Sequence, residues 1–460
     1  MILGLNVSEL IVSATAMPRY SRDVRTMLRI AIPLALAELG WMAMGVIDTI
    51  MVGRLPDSAA AIGSVSIGSS LFYGLAIFGL GLMSGLDSLV SQAFGAKNEY
   101  EARHWLASAL FLAVFATPVL MGCIMACVPL LTLIGVDAAV RERGVAFLNV
   151  LVWSVPPLML YTIFRRYLQG FHYVRPVTFA LVSANLINLL GNWVLIFGHW
   201  GAPAMGVRGS ALSTVLARIY LALVLFVAVL MRDRNALSGF RDLRSGALRL
   251  LRIGFPAALT IGFEVGVFSA VTALAGTLGA VSLAAHTIAL SAASLTYMVP
   301  LGIASAAAVS VGRAIGAGDH HEAARAGWTA IGIGAAYEIG SALCFVVFPR
   351  QIAKIYTQDP AVIEYAVTLL AIAAVFQLFD GLQTIATGAL RGMGNTVTPM
   401  VWNLVGYWVI GLPLGCWLCF GLKWGAVGLW DGLCLSLILI GSGLLVVWHR
   451  ANRVTSLSRS

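Results

Sequence analysis

Apolar residues in this chain come in runs of about twenty to thirty, broken by short stretches that hold most of the charge. A run of about 25 residues rising 1.5 Å each crosses a hydrocarbon core roughly 30 Å thick. A membrane β-barrel would instead show shorter segments of alternating polarity, which is not the pattern. Twelve helical spans follow, at 29–53, 59–83, 105–134, 145–164, 176–198, 209–231, 253–278, 284–312, 328–349, 361–385, 399–421 and 425–448. The chain reads as an all-α polytopic membrane protein.

The intervals divide it further, into a tail at 1–28, a lobe of spans 1–6 at 29–231, a basic linker at 232–252, a lobe of spans 7–12 at 253–448 and a tail at 449–460. The two lobes repeat. Ala93-Phe94-Gly95-Ala96 with Glu101 matches Ala314-Ile315-Gly316-Ala317 with Glu322 at a displacement of 221. Ile32-Pro33 matches Phe255-Pro256 at 223, Gln169-Gly170 matches Arg391-Gly392 at 222, and Trp200-Gly201 matches Trp424-Gly425 at 224. Each half has an even number of spans, so both enter the membrane in the same direction. Such parallel repeats are related by an axis along the membrane normal, with a substrate site expected between them.

Composition agrees and charge adds orientation. With 60% hydrophobic and 11% charged residues, a chain of 460 has too little charge to coat a soluble surface. Lys and Arg divide as 21 on the side of the termini and 7 on the other, with Arg218 inside a span, so the termini are expected to be cytoplasmic. The net charge of +9 is read as this loop bias and not as a nucleic-acid surface. All six cysteines fall in apolar runs, where Cys416 and Cys419 act as small apolar residues. Residues 1–16 have no positively charged leader, so the first span is expected to direct insertion.

Enzyme motifs fail. No lysine follows a glycine, so a Walker A loop and ATP binding are excluded. His320-His321-Glu322 lacks the i, i+4 spacing of a zinc helix and reads as a solvated loop. No aspartate-rich diphosphate motif is present either.

What remains is charge inside spans: Glu38, Asp48, Arg218, Glu264, Glu338 and Asp380. An intramembrane acid costs roughly 2.5–3.5 kcal/mol on insertion scales and faces a bundle interior or a wet cavity. Glu264 lies 12 residues after Arg252, and Asp380 lies 11 before Arg391, so the two sit at nearly one depth and could share a cation. Asp48 lies 19 residues after Arg29, which puts it in the other lobe and about 10 Å nearer the far side. In the repeat, Glu264 corresponds to Trp41 and Asp48 to Val271, so neither acid is duplicated. Glu38 and Glu338 have no assigned role, and Arg218 is expected to pair with an acid or to snorkel.

Gly45-Val46-Ile47-Asp48-Thr49-Ile50-Met51-Val52-Gly53, Ser91-Gln92-Ala93-Phe94-Gly95-Ala96, Gly262-Phe263-Glu264-Val265, Ala284-Ala285-His286 and Phe379-Asp380-Gly381-Leu382-Gln383 are the stretches that carry a family likeness. Over about 29–448 the chain resembles the multidrug and toxic compound extrusion (MATE) family, and within it the NorM-like bacterial branch. The resemblance implies two lobes forming a V in the bacterial inner membrane, and export of organic, often cationic drugs against inward Na+ or H+. It also implies that Glu264 and Asp380 are cation-site acids and that Asp48 is an N-lobe acid linked to transport. One departure is Phe376, where NorM-like members can have a tyrosine.

Tyr297 is the candidate for holding a cationic drug by its ring face, with Tyr297→Phe expected to be mild. The alternative function is a flippase for a lipid-linked precursor, for which a cleft lined with arginines is expected. With Arg218 the only arginine placed deep in a span, the antiporter is favoured.

Overall fold

A computed structural model describes residues 7–133, 138–239 and 242–457. Among the described residues, twelve helices are long and apolar enough to cross a membrane. We number them α1 (Ser21–Val52), α2 (Ala60–Gly95), α3 (Glu99–Ala126), α4 (Val140–Gly170), α5 (Arg175–Phe197), α6 (Val207–Arg232), α7 (Leu243–Thr277), α8 (Ala280–Gly316), α9 (His320–Val347), α10 (Pro360–Gly392), α11 (Val397–Gly421) and α12 (Ala426–Asn452).

Most of these helices overrun the spans read from sequence. The helix of α1 begins at Val7, inside the expected tail, and residues 243–252 of the basic linker form the first turns of α7. Residues 1–6, 240, 241 and 458–460 of the expected tails and linker lie outside the described residues. His320, His321 and Glu322 open α9 rather than forming a loop, because Asp319 caps that helix by accepting from the Glu322 amide at 2.8 Å.

The landmark shared by residues 93–101 and 314–322 is a tight turn between two helices. Asn98 caps α3 by accepting from the Glu101 amide at 3.1 Å, as Asp319 caps α9, and 319 − 98 reproduces the displacement of 221. Between the helices, Lys97 at φ 57° occupies the left-handed position that Gly318 fills at φ 74° in the other half.

The apolar core divides into two clusters, though not at the linker. The first half of α1 (Met27, Ile30, Ala31, Leu34) belongs to the C-lobe core, and Leu250 of α7 belongs to the N-lobe core. The lobes therefore exchange the starts of their first helices.

On the side of the termini the lobes meet backbone to backbone, through contacts that repeat. A Cβ on Gly81 would lie 2.5 Å from the Ala258 Cα, and one on Gly302 would lie 2.6 Å from the Ala35 Cα. A Cβ on Gly95 would lie 2.0 Å from the Arg313 carbonyl oxygen, and one on Gly316 would lie 1.9 Å from that of Gln92. Since 302 − 81 and 316 − 95 both equal 221, each contact is the mate of the other across a pseudo-two-fold axis.

Candidate functional site

The C-lobe acids sit where α7, α8, α10 and α11 converge. Tyr297 donates its hydroxyl to Glu264 Oε1 at 3.0 Å, and Thr384 donates to the Tyr297 oxygen at 3.2 Å. Gln383 reaches Asp380 Oδ1 at 3.4 Å and the Tyr407 hydroxyl at 2.8 Å. Glu264 lines the cavity between the lobes, whereas Asp380 is buried behind it. Glu338 is a third buried acid of this lobe, packed on Gly381 with its Oε2 unpartnered.

Among the described residues, no salt bridge involves any of the three. Buried carboxylates without a basic partner are costly until they take up a proton or a cation. Carboxylate, hydroxyl and amide oxygens suit a hard cation. Among the described residues, no group of three or more His, Cys, Asp or Glu is arranged to hold a metal.

Phe376 lacks a hydroxyl and packs on Phe268 and Trp430, with ring centroids 5.9 and 5.5 Å away. The hydroxyls near the acids come instead from Tyr297 and from Tyr407, which sequence reasoning missed. Tyr407 lies in a π-helical stretch, Leu404–Gly411, where α11 presses on α12 so closely that a Cβ on Gly406 would lie 2.3 Å from Ile440. The signal available in the sequence was a lone tyrosine directly after a glycine within an apolar span.

Asp48 is held apart from these acids, inside the N-lobe. Asn192 donates to its Oδ1 at 2.7 Å and Thr214 to its Oδ2 at 2.8 Å, and it does not line the cavity. Arg218 departs from expectation. Fully buried, it donates to the hydroxyls of Ser154 at 2.5 Å and Tyr73 at 2.6 Å, and its guanidinium lies 4.8 Å from the Phe72 ring centroid. Hydroxyls and ring faces therefore take the place of the expected acid, and the side chain does not snorkel.

The cavity is about 330 Å³ and is lined from both lobes. Ile77, Leu80, Ile261 and Leu301 make its walls apolar, with Glu264, Tyr297 and Trp41 among its polar and aromatic residues. It also holds Arg165, Arg166 and Arg391, contrary to the expectation that Arg218 is the only deep arginine. These three fell outside spans drawn to stop at 164 and 385, yet α4 and α10 run on to Gly170 and Gly392. Arg165 pairs with Glu38, which gives that acid a partner. Asp87 accepts from Arg166 at 2.5 Å and lies 3.4 Å from Arg391 of the opposite lobe.

A family model described as MatE matches residues 33–194 and again 256–417. Both ends of the second match are displaced by 223, within the range of the sequence repeat. The multidrug resistance protein NorM of Burkholderia vietnamiensis is 36% identical over 97% of this chain and 97% of its own. The probable multidrug resistance protein NorM of Mesorhizobium japonicum is 35% identical over 95% of each. The crystal structure of the eukaryotic MATE transporter AtDTX14 superposes with a TM-score of 0.83 at 24% identity, covering 95% of this chain and 98% of that one. With two copies of the family model in register and relatives matched from end to end, the chain belongs to the MatE family of multidrug efflux transporters.

Proposed function

We propose that efflux by this chain is driven by inward movement of Na+ or H+ through the C-lobe acids Glu264 and Asp380, in a bacterial inner membrane with both termini cytoplasmic. The observation that carries this reading is a set of buried carboxylates with hydroxyl and amide partners and, among the described residues, no cationic one. Lobes pressed together on the side of the termini would then face outward, ready to release drug and admit the cation. The cargo is small organic compounds, often cationic, held in the apolar cavity with membrane lipid around it.

Arginines in the cleft were the feature set aside for a lipid-precursor flippase. Here Glu38 and Asp87 face them, and the relatives are named multidrug resistance proteins, so the efflux reading stands. The test is purified protein in vesicles, with sodium and pH gradients imposed separately. Ethidium efflux should follow one of the two, and efflux that follows neither would overturn the coupling.

Tyr297 plays two parts in this scheme, as a ring face in the cavity and as the hydroxyl donor to Glu264. Through that hydroxyl, Tyr297→Phe is expected to act on the coupling ion as well as on cationic drugs. Losing a hydrogen bond to a buried carboxylate costs about 1.5–3 kcal/mol, so coupling-ion affinity should change by roughly tenfold or more while binding of neutral drugs is kept. Tyr297→Ala should in addition weaken cationic drugs more than neutral ones. Equal loss of both drug classes in titrations would assign the residue to packing.

Asp48 is proposed as a second, N-lobe site, with drug and cation competing through lobe conformation and not for one carboxylate. Reciprocity requires that a cation which weakens drug binding be weakened by drug to the same factor. Asp48→Asn should impair drug transport yet preserve cation binding at the C-lobe pair, measured by calorimetry. Loss of cation binding in the folded variant would merge the two sites into one.

A further inference from the structure

The floor of the cavity holds one positive charge more than it can neutralise. Three guanidiniums, Arg165, Arg166 and Arg391, meet two carboxylates, Glu38 and Asp87. Arg165 is committed to Glu38 and also donates to the Tyr161 hydroxyl at 3.2 Å. Arg166 is committed to Asp87, whose Oδ2 it reaches at 2.5 Å. Arg391 comes third. Its Nε lies 3.4 Å from that same oxygen without making a hydrogen bond, and this buried nitrogen has no other partner among the described residues. The side chain is only 12% exposed, and it lines the cavity.

A guanidinium held mostly out of bulk water favours an anionic partner, and a planar oxyanion meets its fork with two parallel bonds. The opposite polarity lies across the same cavity, at Glu264 with Tyr297, and Ile77, Leu80, Ile261 and Leu301 supply apolar wall. We propose that Arg391 seats a carboxylate of the cargo, so that the cavity takes dipolar compounds with their anionic end on the floor and their cationic end toward Glu264. This rests on the efflux reading and refines it. The residue is then a determinant of specificity, separating zwitterionic compounds from the plain cations that Glu264 and Tyr297 accept. A phosphate of an anionic lipid offers the same oxyanion chemistry from another source, and the experiment separates the two.

The test compares a zwitterionic rhodamine free acid with its ethyl ester, which has the same xanthene cation but a masked carboxylate. Both are titrated by calorimetry into the purified protein in phosphatidylcholine nanodiscs. The unaltered protein should bind the acid ~10-fold more tightly than the ester, the range of charge-assisted hydrogen bonds. In Arg391→Gln that ratio should fall to about one, and Arg391→Lys, which keeps charge without the fork, should recover part of it. Equal affinities in the unaltered protein would overturn the proposal even if no variant folds. So would an Arg391→Gln protein that loses both ligands by the same factor and keeps the ratio, since Arg391 would then act only in holding the lobes together. If phosphatidylglycerol in the nanodisc abolishes the preference for the acid, the floor belongs to a lipid headgroup and the cargo assignment fails. Binding of neither dye would overturn the efflux reading together with this one.

Discussion

Vesicles containing Glu264→Gln or Asp380→Asn protein are expected to show no gradient-driven ethidium efflux above empty vesicles, a loss on the order of 100-fold, the upper range of a coupling free energy between two sites. Each amide keeps the shape of the side chain it replaces. The Tyr297 hydroxyl can still donate to the side-chain oxygen at position 264, and among the described residues Asp380 is bonded only by Gln383 at 3.4 Å, so the lobe should fold and insert. What disappears is the charge that a cation or proton would answer. A ligand shifts a conformational equilibrium only by its differential affinity for the two states, and a neutral amide keeps an oxygen ligand but gives up the charge that would make that difference large. Insertion and folding are checked by size-exclusion chromatography and thermal unfolding in detergent. Native efflux rates in both single variants would end the shared-site proposal.

Gly316→Ala should be nearly as damaging, although position 316 lies far along α8 from Tyr297 and the coupling acid it contacts. Its added Cβ would sit 1.9 Å from the Gln92 carbonyl oxygen, and backbone on the far side of a packed seam cannot swing away as a side-chain tip would. The lobes would have to part on the side of the termini, which disfavours the closed arrangement. Efflux is expected to fall by ~10-fold or more, given that overpacking typically costs 1–3 kcal/mol. Spin labels at Lys97 and Ala317, both exposed on the turns that flank the seam, should report a longer distance in the variant than in the unaltered protein. Unchanged distance together with unchanged efflux would show that the seam yields after all.

Much of this could be read from the chain alone, because spans and repeats are properties of local composition. Ala93 to Ala96 and Ala314 to Ala317 stood out as a repeat, and the structure explains why: both lead into a left-handed turn and a capped helix. Asp48, Glu264 and Asp380 were visible because charge is rare within an apolar run. The arginines of the cavity were not, for the same reason turned round. A span edge drawn where apolar residues stop gives the next charged residues to a loop, and Arg165, Arg166 and Arg391 all continue a helix into the space between the lobes. Tyr407 was hidden because its approach to Gln383 depends on how α11 packs against its neighbours, which no spacing along the chain encodes.

The exchange of helix starts between the lobes also bears on how the molecule is assembled during synthesis. The N-terminal half leaves the ribosome first, and domains generally fold as they emerge. Here the first half cannot complete its own core, because Leu250 of that core is delivered by α7, while Met27, Ile30, Ala31 and Leu34 wait for the helices of the second half. Its six spans enter the bilayer as a set with one face unfilled and one face waiting for a host. The two halves thus mature together, each closing the other, and a chain cut at the linker should be rescued by supplying the missing half as a separate polypeptide.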